Sequence, residues 1–284
     1  MEPRPRKGFR IFVILLLMGI FFELALVIGI LSDGKQVNGN IAVVEIKGPI
    51  EEARSTIASL KEYAKKDKVK AIVLRVDSPG GTVGASQEIY DEVLKISQKK
   101  KIVVSMGDVA ASGGYYVAVG ADRILANPGT ITGSIGVISE YFVLEDLLKK
   151  FHLRWEVIQA GKMKDIGSPL RALKEDERKI LQQLTNDMHA QFIEAVARGR
   201  KMPPEKVKQL AEGQIFSGRQ AKELGLVDEL GGLEQAIEVA AKLTNVREEP
   251  KVIYPEEEPF KWLKRIAEGK LQFPGLRIEY RSVP

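Results

Sequence analysis

The 284-residue chain contains no cysteine and only two histidines, His152 and His189. The first absence excludes disulfides, zinc–thiolate centres and thiol nucleophiles together. The second leaves little for imidazole chemistry, and no H-E-x-x-H or related spacing offers a metal site. His152 lies in LLKKFHLRWEV, at the junction of an expected helix and strand, and His189 lies on an amphipathic helix. Neither has a carboxylate at a suggestive spacing. Net charge is also small: 43 Lys and Arg against 38 Asp and Glu give +5. Four of the basic residues fall in the first ten positions, MEPRPRKGFR. The remainder is so nearly balanced that it carries no nucleic-acid footprint, in spite of an alkaline isoelectric point. No repeat at a fixed period is present.

What the chain does have begins at its N-terminus. Ile11 to Leu31 (IFVILLLMGIFFELALVIGIL) is a 21-residue apolar run interrupted only by Glu23 and preceded by Arg4, Arg6, Lys7 and Arg10. That length spans a bilayer as a helix, and the basic flank keeps residues 1–10 on the cytoplasmic side. A cleavable signal peptide would have a shorter apolar region and a small-residue cleavage site, which SDGKQVNGN does not supply. The expectation is a retained anchor over 11–31, a linker over 32–40, and an extracytoplasmic domain over 41–246 followed by a tail over 247–284.

Within that domain, β-branched and alternating apolar segments predict strands at 41–47, 71–76, 101–106, 123–126 and 154–160. Helical periodicity fills the gaps between them, and a long amphipathic helix runs over 175–200, followed by shorter Gly-capped helices. Strands alternating with helices argue for an α/β domain with a parallel sheet. A core is affordable, since 44% of the residues are apolar.

Three stretches suit chemistry. DSPGG (77–81) follows an apolar strand, and its Pro79-Gly80 pair fits the centre of a type II turn. Bare backbone N–H groups at such a turn can hold a developing oxyanion, although a lone P-G-G is more often an ordinary turn. AASGG (110–114) again follows a strand, and small neighbours leave Ser112 open to attack a substrate. The competing reading makes Ser112 a helix N-cap. AGKMKDIGSPLR (160–171) carries Lys162 and Lys164. A lysine serves as general base only when neutral, so its pKa must fall well below ~10.4 through burial or a neighbouring cation. Spacing does not choose between the two.

In this order the segments resemble the signal peptide peptidase A family, membrane-anchored serine peptidases with a Clp-protease/crotonase fold. The resemblance runs from the anchor through DSPGG, ASGGYY, TGSIGV and GKMKDIGSP to IFSGRQAKELGLVDELGG at 215–232. It implies a Ser–Lys dyad with Ser112 as nucleophile and Lys164, 52 residues downstream, as base. Ser134 in TGSIGV would orient the lysine, and Gly81 and Gly113 would supply oxyanion N–H groups. The resemblance further implies no metal or organic cofactor, remnant signal peptides in the membrane as substrates, and a homo-oligomer with active sites built between neighbours. A same-fold peptidase with another membrane client and a crotonase-like acyl-CoA enzyme are the alternatives.

Overall fold

The computed structural model describes residues 15–19, 21, 39–255 and 277–281. It divides into two units, Met1–Asn38 and Gly39–Pro284. In the first, residues 15–19 are helical, with Leu15 to Met18 exposed. Most of the expected anchor over 11–31 and the linker over 32–40 lies outside the described residues. No helix among the described residues is long and apolar enough to cross a membrane.

The second unit is built on a parallel sheet. β1 (Ile41–Lys47), α1 (Arg54–Lys65), β2 (Ala71–Ser78), β3 (Gly80–Thr82), α2 (Val83–Ser97), β4 (Lys101–Ala111) and α3 (Gly113–Ala118) open it. β5 (Arg123–Ala126), β6 (Ile131–Gly133), β7 (Ile138–Glu140), α4 (Glu145–Lys150), α5 (Glu175–Arg200) and α6 (Pro204–Gln209) follow. β8 (Ile215–Ser217), α7 (Gly218–Glu223), β9 (Glu229–Leu230), α8 (Leu233–Leu243), β10 (Val252–Ile253) and β11 (Arg277–Arg281) complete the order. The main sheet runs β10-β1-β2-β4-β5-β9 with every pair parallel. β6 extends the far end of β4 in parallel and pairs antiparallel with β8.

Its composition explains the sheet. Strands buried on both faces need near-continuous apolar runs, and AIVL in β2 and IVV in β4 are fully buried. Because side chains alternate faces, Ile41, Val43, Ala71, Val73 and Val103 meet Ala236, Ile237 and Ala240 of α8 in one cluster. The opposite face receives α3, where Gly114 packs so closely on β2 that an added Cβ would meet Ser78 O at 2.9 Å. Tyr116 of α3 packs edge-on against Tyr90 of α2 at 5.1 Å and lies tilted against Phe192 of α5 at 4.8 Å. Behind α3, the Tyr115 hydroxyl donates to Leu226 O at 2.8 Å, and Arg200 forks onto Asp228 at 2.8 and 3.0 Å.

The strand expected over 154–160 is absent. Residues 151–160 are exposed and irregular, and among the described residues Trp155, Val157 and Ile158 stand largely exposed. The alternation in RWEVIQA reads locally as a half-buried strand, but no sheet edge among the described residues pairs with it. Conversely, β11 was not expected. It lies antiparallel between β3 and β7 in a separate three-stranded sheet.

Candidate active site

β4 is the longest strand, and Ser112 stands at its C-terminal end, where the chain turns into α3. The turn is strained: Ser112 has φ 53° and ψ −120°, a backbone shape L-residues adopt rarely and at a cost. It is held there from both sides. The Ser112 N–H donates to Gly133 O at 2.8 Å, and Tyr116 N–H donates to Ser112 O at 2.8 Å. Although Ser112 occupies the N-cap position of α3, its hydroxyl bonds no helix N–H. The Oγ is buried without any hydrogen-bond partner. The capping reading therefore fails, and what remains is a desolvated hydroxyl on a sharp strand-to-helix turn, the arrangement of a nucleophile elbow.

Gly113, directly after Ser112, is closely surrounded. A Cβ added to Gly113 would sit 2.4 Å from Ser86 Oγ, 3.2 Å from Gly81 N and 3.3 Å from Gly80 Cα. Gly81 and Gly113 are thus neighbours across the site although 32 residues separate them in sequence. Gly80 has φ +102°, as the third position of the expected turn requires. The segment then straightens into β3 instead of entering a helix directly. Ile50 N–H donates to Gly80 O and Thr82 N–H donates to Ile50 O, both at 2.8 Å. In such a ladder the intervening residue points its own polar groups the other way. The Gly81 N–H and C=O therefore face β11, which is registered Tyr280 against Gly81. There is no room for a side chain at Gly81, where a Cβ would meet Ile50 O at 2.1 Å.

Ser134 enters through the strand beside β4. Ala111 pairs with Gly133, so the two parallel strands end together, and Ser134 has φ 49° with its N–H on Gln214 O at 2.8 Å. Ser134, like Ser112, is buried.

The lysine turn lies between α4 and α5 in the chain. Gly161 O accepts from Lys164 N at 3.1 Å and Met163 O from Ile166 N at 3.2 Å, forming a run of turns whose Lys162 and Lys164 are both exposed. Lys164 makes no hydrogen bond to Ser112 within this chain, since the Ser112 Oγ has no partner. Lys162 is occupied: its ammonium holds Asp176 at 2.7 Å, and that hydrogen bond pushes its pKa above the usual lysine value. Neither histidine reaches the Ser112 hydroxyl. His152 is exposed beyond α4, and His189 lies partly buried on α5.

Sequence reasoning missed two elements of this region. One is β11 and its pairing with β3; the alternation in RIEYR marks a strand but not its register. The other is Arg171, whose guanidinium spans Asp165 and Glu177 at the start of α5. That hydrogen bond holds the Asp165 carboxyl down to about 2 and Glu177 below its usual value.

A further surface is uncovered beside the lysine turn. Phe142, Val143, Leu147, Phe151, Leu153, Trp155 and Ile158 are all exposed, at 64% for Phe142 and 63% for Trp155. A contiguous apolar stretch of this kind marks an interaction surface.

Comparison with known proteins places these features in company. Residues 95–247 match the sequence profile of peptidase family S49, and residues 39–128 match that of Clp protease. A Synechocystis sp. protein named as a protease, slr0021, is 44% identical over 234 residues, which is 82% of this chain and 84% of that one. Serine protease SPPA, chloroplastic, of Arabidopsis thaliana is 34% identical over 222 residues, 76% of this chain and 33% of its own length. Protease 4 of Salmonella typhi is 35% identical over 221 residues, 78% of this chain and 34% of its own. The chain thus spans most of the cyanobacterial relative and about a third of the other two.

Proposed function

The chain belongs to peptidase family S49, with the Clp-protease-like α/β fold, and is a serine peptidase; from that premise we propose that Ser112 is its nucleophile, Lys164 its general base, and Gly81 and Gly113 its oxyanion donors. The observation that carries this reading is the buried, unpartnered Ser112 hydroxyl on strained backbone beside Gly81. Strain and desolvation of this kind cost stability and persist where a site needs them.

The chemistry then runs in two halves. Neutral Lys164 takes the Ser112 proton as Oγ attacks a peptide carbonyl carbon, while the N–H groups of Gly81 and Gly113 donate to the oxyanion. Lys164, now an ammonium, donates its proton to the leaving amine. Water attacks the acyl-enzyme in the second half, with Lys164 again as base, and frees Ser112. Ser134 orients the lysine nitrogen. Lys162 does not fit the base, because its pairing with Asp176 stabilises the charged form. No metal or organic cofactor enters these steps.

Substrate lies on β3 as an extended strand. β11, registered antiparallel on Gly80–Thr82, fills this edge in the structure and supports the reading as a stand-in that a substrate strand would displace, freeing the Gly81 N–H for the oxyanion. The small buried residues Ala110, Ala111 and Gly113 around Ser112 suit small apolar side chains, and the substrates are remnant signal peptides cut in their apolar cores. The 11–31 run, with its basic flank, anchors the chain with residues 1–10 in the cytoplasm and the peptidase domain outside it. The enzyme works as a homo-oligomer. A lysine exposed in one protomer is dried only by a covering surface, and the apolar stretch of residues 142–158 beside it is what a second copy would cover.

A serine-acylating probe tests the reading. Ser112 should be the labelled residue, Ser112→Ala and Lys164→Ala should each abolish hydrolysis of apolar peptides, and Lys162→Ala should retain it. Mixing the two inactive variants should restore activity if neighbouring subunits complete each site. Labelling elsewhere, or full activity in Lys164→Ala, would defeat the assignment.

A further inference from the structure

A lysine that must shed its proton is poorly served by a carboxylate beside it, since an opposite charge within ~4–6 Å favours the ammonium. Yet the residue directly after Lys164 is Asp165. The loop contains an arrangement that answers this conflict. Arg171 Nε donates to Asp165 Oδ2 at 2.7 Å, and Nη2 donates to the Asp165 main-chain carbonyl at 3.4 Å. The same guanidinium forks onto Glu177, with Nη1 on Oε2 at 2.8 Å and Nη2 on Oε1 at 2.6 Å. Glu177 is fully buried in the first turn of α5 and also accepts from Lys174 N at 3.0 Å. A further bond from Nη1 to Ala172 O at 3.1 Å fixes the fork's own strand of chain. A planar five-donor group suits this task, and a lysine could not replace it.

We infer that Arg171 is the positioning residue of the lysine loop: it ties the turn that carries Lys164 to the start of α5 and withholds the Asp165 carboxylate from the Lys164 amine. The inference rests on the Ser112–Lys164 reading and deepens it. After Arg171, the Gln159 side chain also helps to hold the Asp165 carboxyl down, and among the described residues Asp165 Oδ1 is buried with no hydrogen bond of its own. Released from Arg171, it is the nearest acceptor in sequence for the lysine.

The surrounding charges are committed in the same sense. Asp176 holds Lys162 at 2.7 Å, while on α4 Glu145 holds Lys149 at 2.8 Å and accepts from Ala172 N at 2.7 Å. Asp146 shares Lys149 at 3.3 Å. His152, Arg154 and Glu156 before the turn, and Lys174, Glu175 and Arg178 after it, are exposed to solvent. The Lys164 ammonium has no hydrogen-bond or ion-pair partner among the described residues. Of the two lysines in GKMKD, one is given a counterion and the other is kept from one.

The test is the pH profile of kcat/KM for a fluorogenic apolar peptide, measured on the full chain. Activity in the parent should rise with pH as Lys164 loses its proton. Arg171→Gln should move the midpoint of that rise upward by about one pH unit or more, and adding Asp165→Asn should return it to the parent position. Should Arg171→Gln fail to fold because Glu177 is left buried and unpaired, Arg171→Gln with Glu177→Gln removes both partners and should show the same upward move. A rate loss that is uniform across pH, with the midpoint unmoved, would make Arg171 a structural residue only and overturn the inference. Activity retained in Lys164→Ala would instead overturn the dyad beneath it, so the two failures are distinct.

Discussion

Ser112 donates its backbone N–H to the carbonyl of Gly133 at 2.8 Å. That bond joins the ends of two parallel strands and sets both serines of the site at once, because Ser134 follows Gly133 directly. Both serines have positive φ, 53° and 49°, a region that L-residues adopt rarely. Two adjacent residues of high backbone energy, pinned by one ladder, point to a site whose geometry is maintained against its own preference.

Removing the Ser112 hydroxyl should therefore abolish hydrolysis and stabilise the fold. A buried hydroxyl without a partner costs about 1–3 kcal/mol, so Ser112→Ala should unfold at higher urea concentration than the parent. Ser112→Gly should gain roughly a further 1 kcal/mol from relief of the backbone strain, less glycine's extra chain entropy. Urea titration of the three proteins checks the order. A destabilised Ser112→Ala would mean that the hydroxyl is bonded after all.

Gly113→Ala should be damaging for a steric reason that can be separated from a chemical one. Its Cβ would fall 2.4 Å from Ser86 Oγ and 3.2 Å from Gly81 N. Overpacking costs about 1–3 kcal/mol, and displacing an oxyanion donor costs about 10²–10³ in kcat. Adding Ser86→Ala removes the nearest clash and should recover stability, while kcat stays low because Gly81 is still crowded. Recovery of kcat along with stability would argue against Gly81 as a donor.

Acid should loosen the lysine loop before it unfolds the sheet. Arg171 holds Asp165 down to about 2 and keeps Glu177 low as well, against ordinary values of ~3.9 and ~4.3. Carboxylates lowered in the folded state bind fewer protons there than in the unfolded chain. Their stabilisation is complete above about pH 4 and disappears as the pH falls toward about 2. Urea midpoints measured between these values should drop more steeply for the parent than for Asp165→Asn with Glu177→Gln, whatever the starting stability of that variant.

Trp155→Glu and Ile158→Glu should leave the protomer folded, because both side chains are largely exposed among the described residues. Surface changes of this sort stay within about 0.5 kcal/mol. Assembly and peptide hydrolysis should instead fall together, as read by light scattering and by rate. Full activity in a dispersed protomer would remove the oligomer from the mechanism.

How much of this was visible in the sequence depends on how far apart the interacting residues lie. Ser112 and Gly81 follow apolar strands with turn residues directly after them, so a local pattern exposes them. The absence of a hydroxyl cap at Ser112 is not local, for it depends on which N–H groups the finished turn leaves in reach. The 154–160 segment misled because alternation records which side chains could be buried, and only the tertiary fold decides whether a partner arrives. β11 pairs with residues almost two hundred positions away, and no short-range signal carries that register. Spacing alone left Lys162 and Lys164 open; the family resemblance chose Lys164, and the hold of Asp176 on Lys162 agrees with that choice. Arg171 escaped notice because its partners stand six residues to either side, a spacing that no regular helix or strand brings together.

The edge of β3 has a consequence for what the enzyme can digest. If substrate displaces β11 there as proposed, main-chain pairing with Gly81 reads only whether a segment is extended, and it is indifferent to most side chains. An apolar segment still wound as a helix has its amides satisfied internally and offers this edge nothing. Unwinding thus becomes the gate, and Ala- and Leu-rich stretches should survive longer than β-branched ones of equal hydropathy. Intact membrane spans would be spared by their own hydrogen bonds, with no recognition element devoted to sparing them.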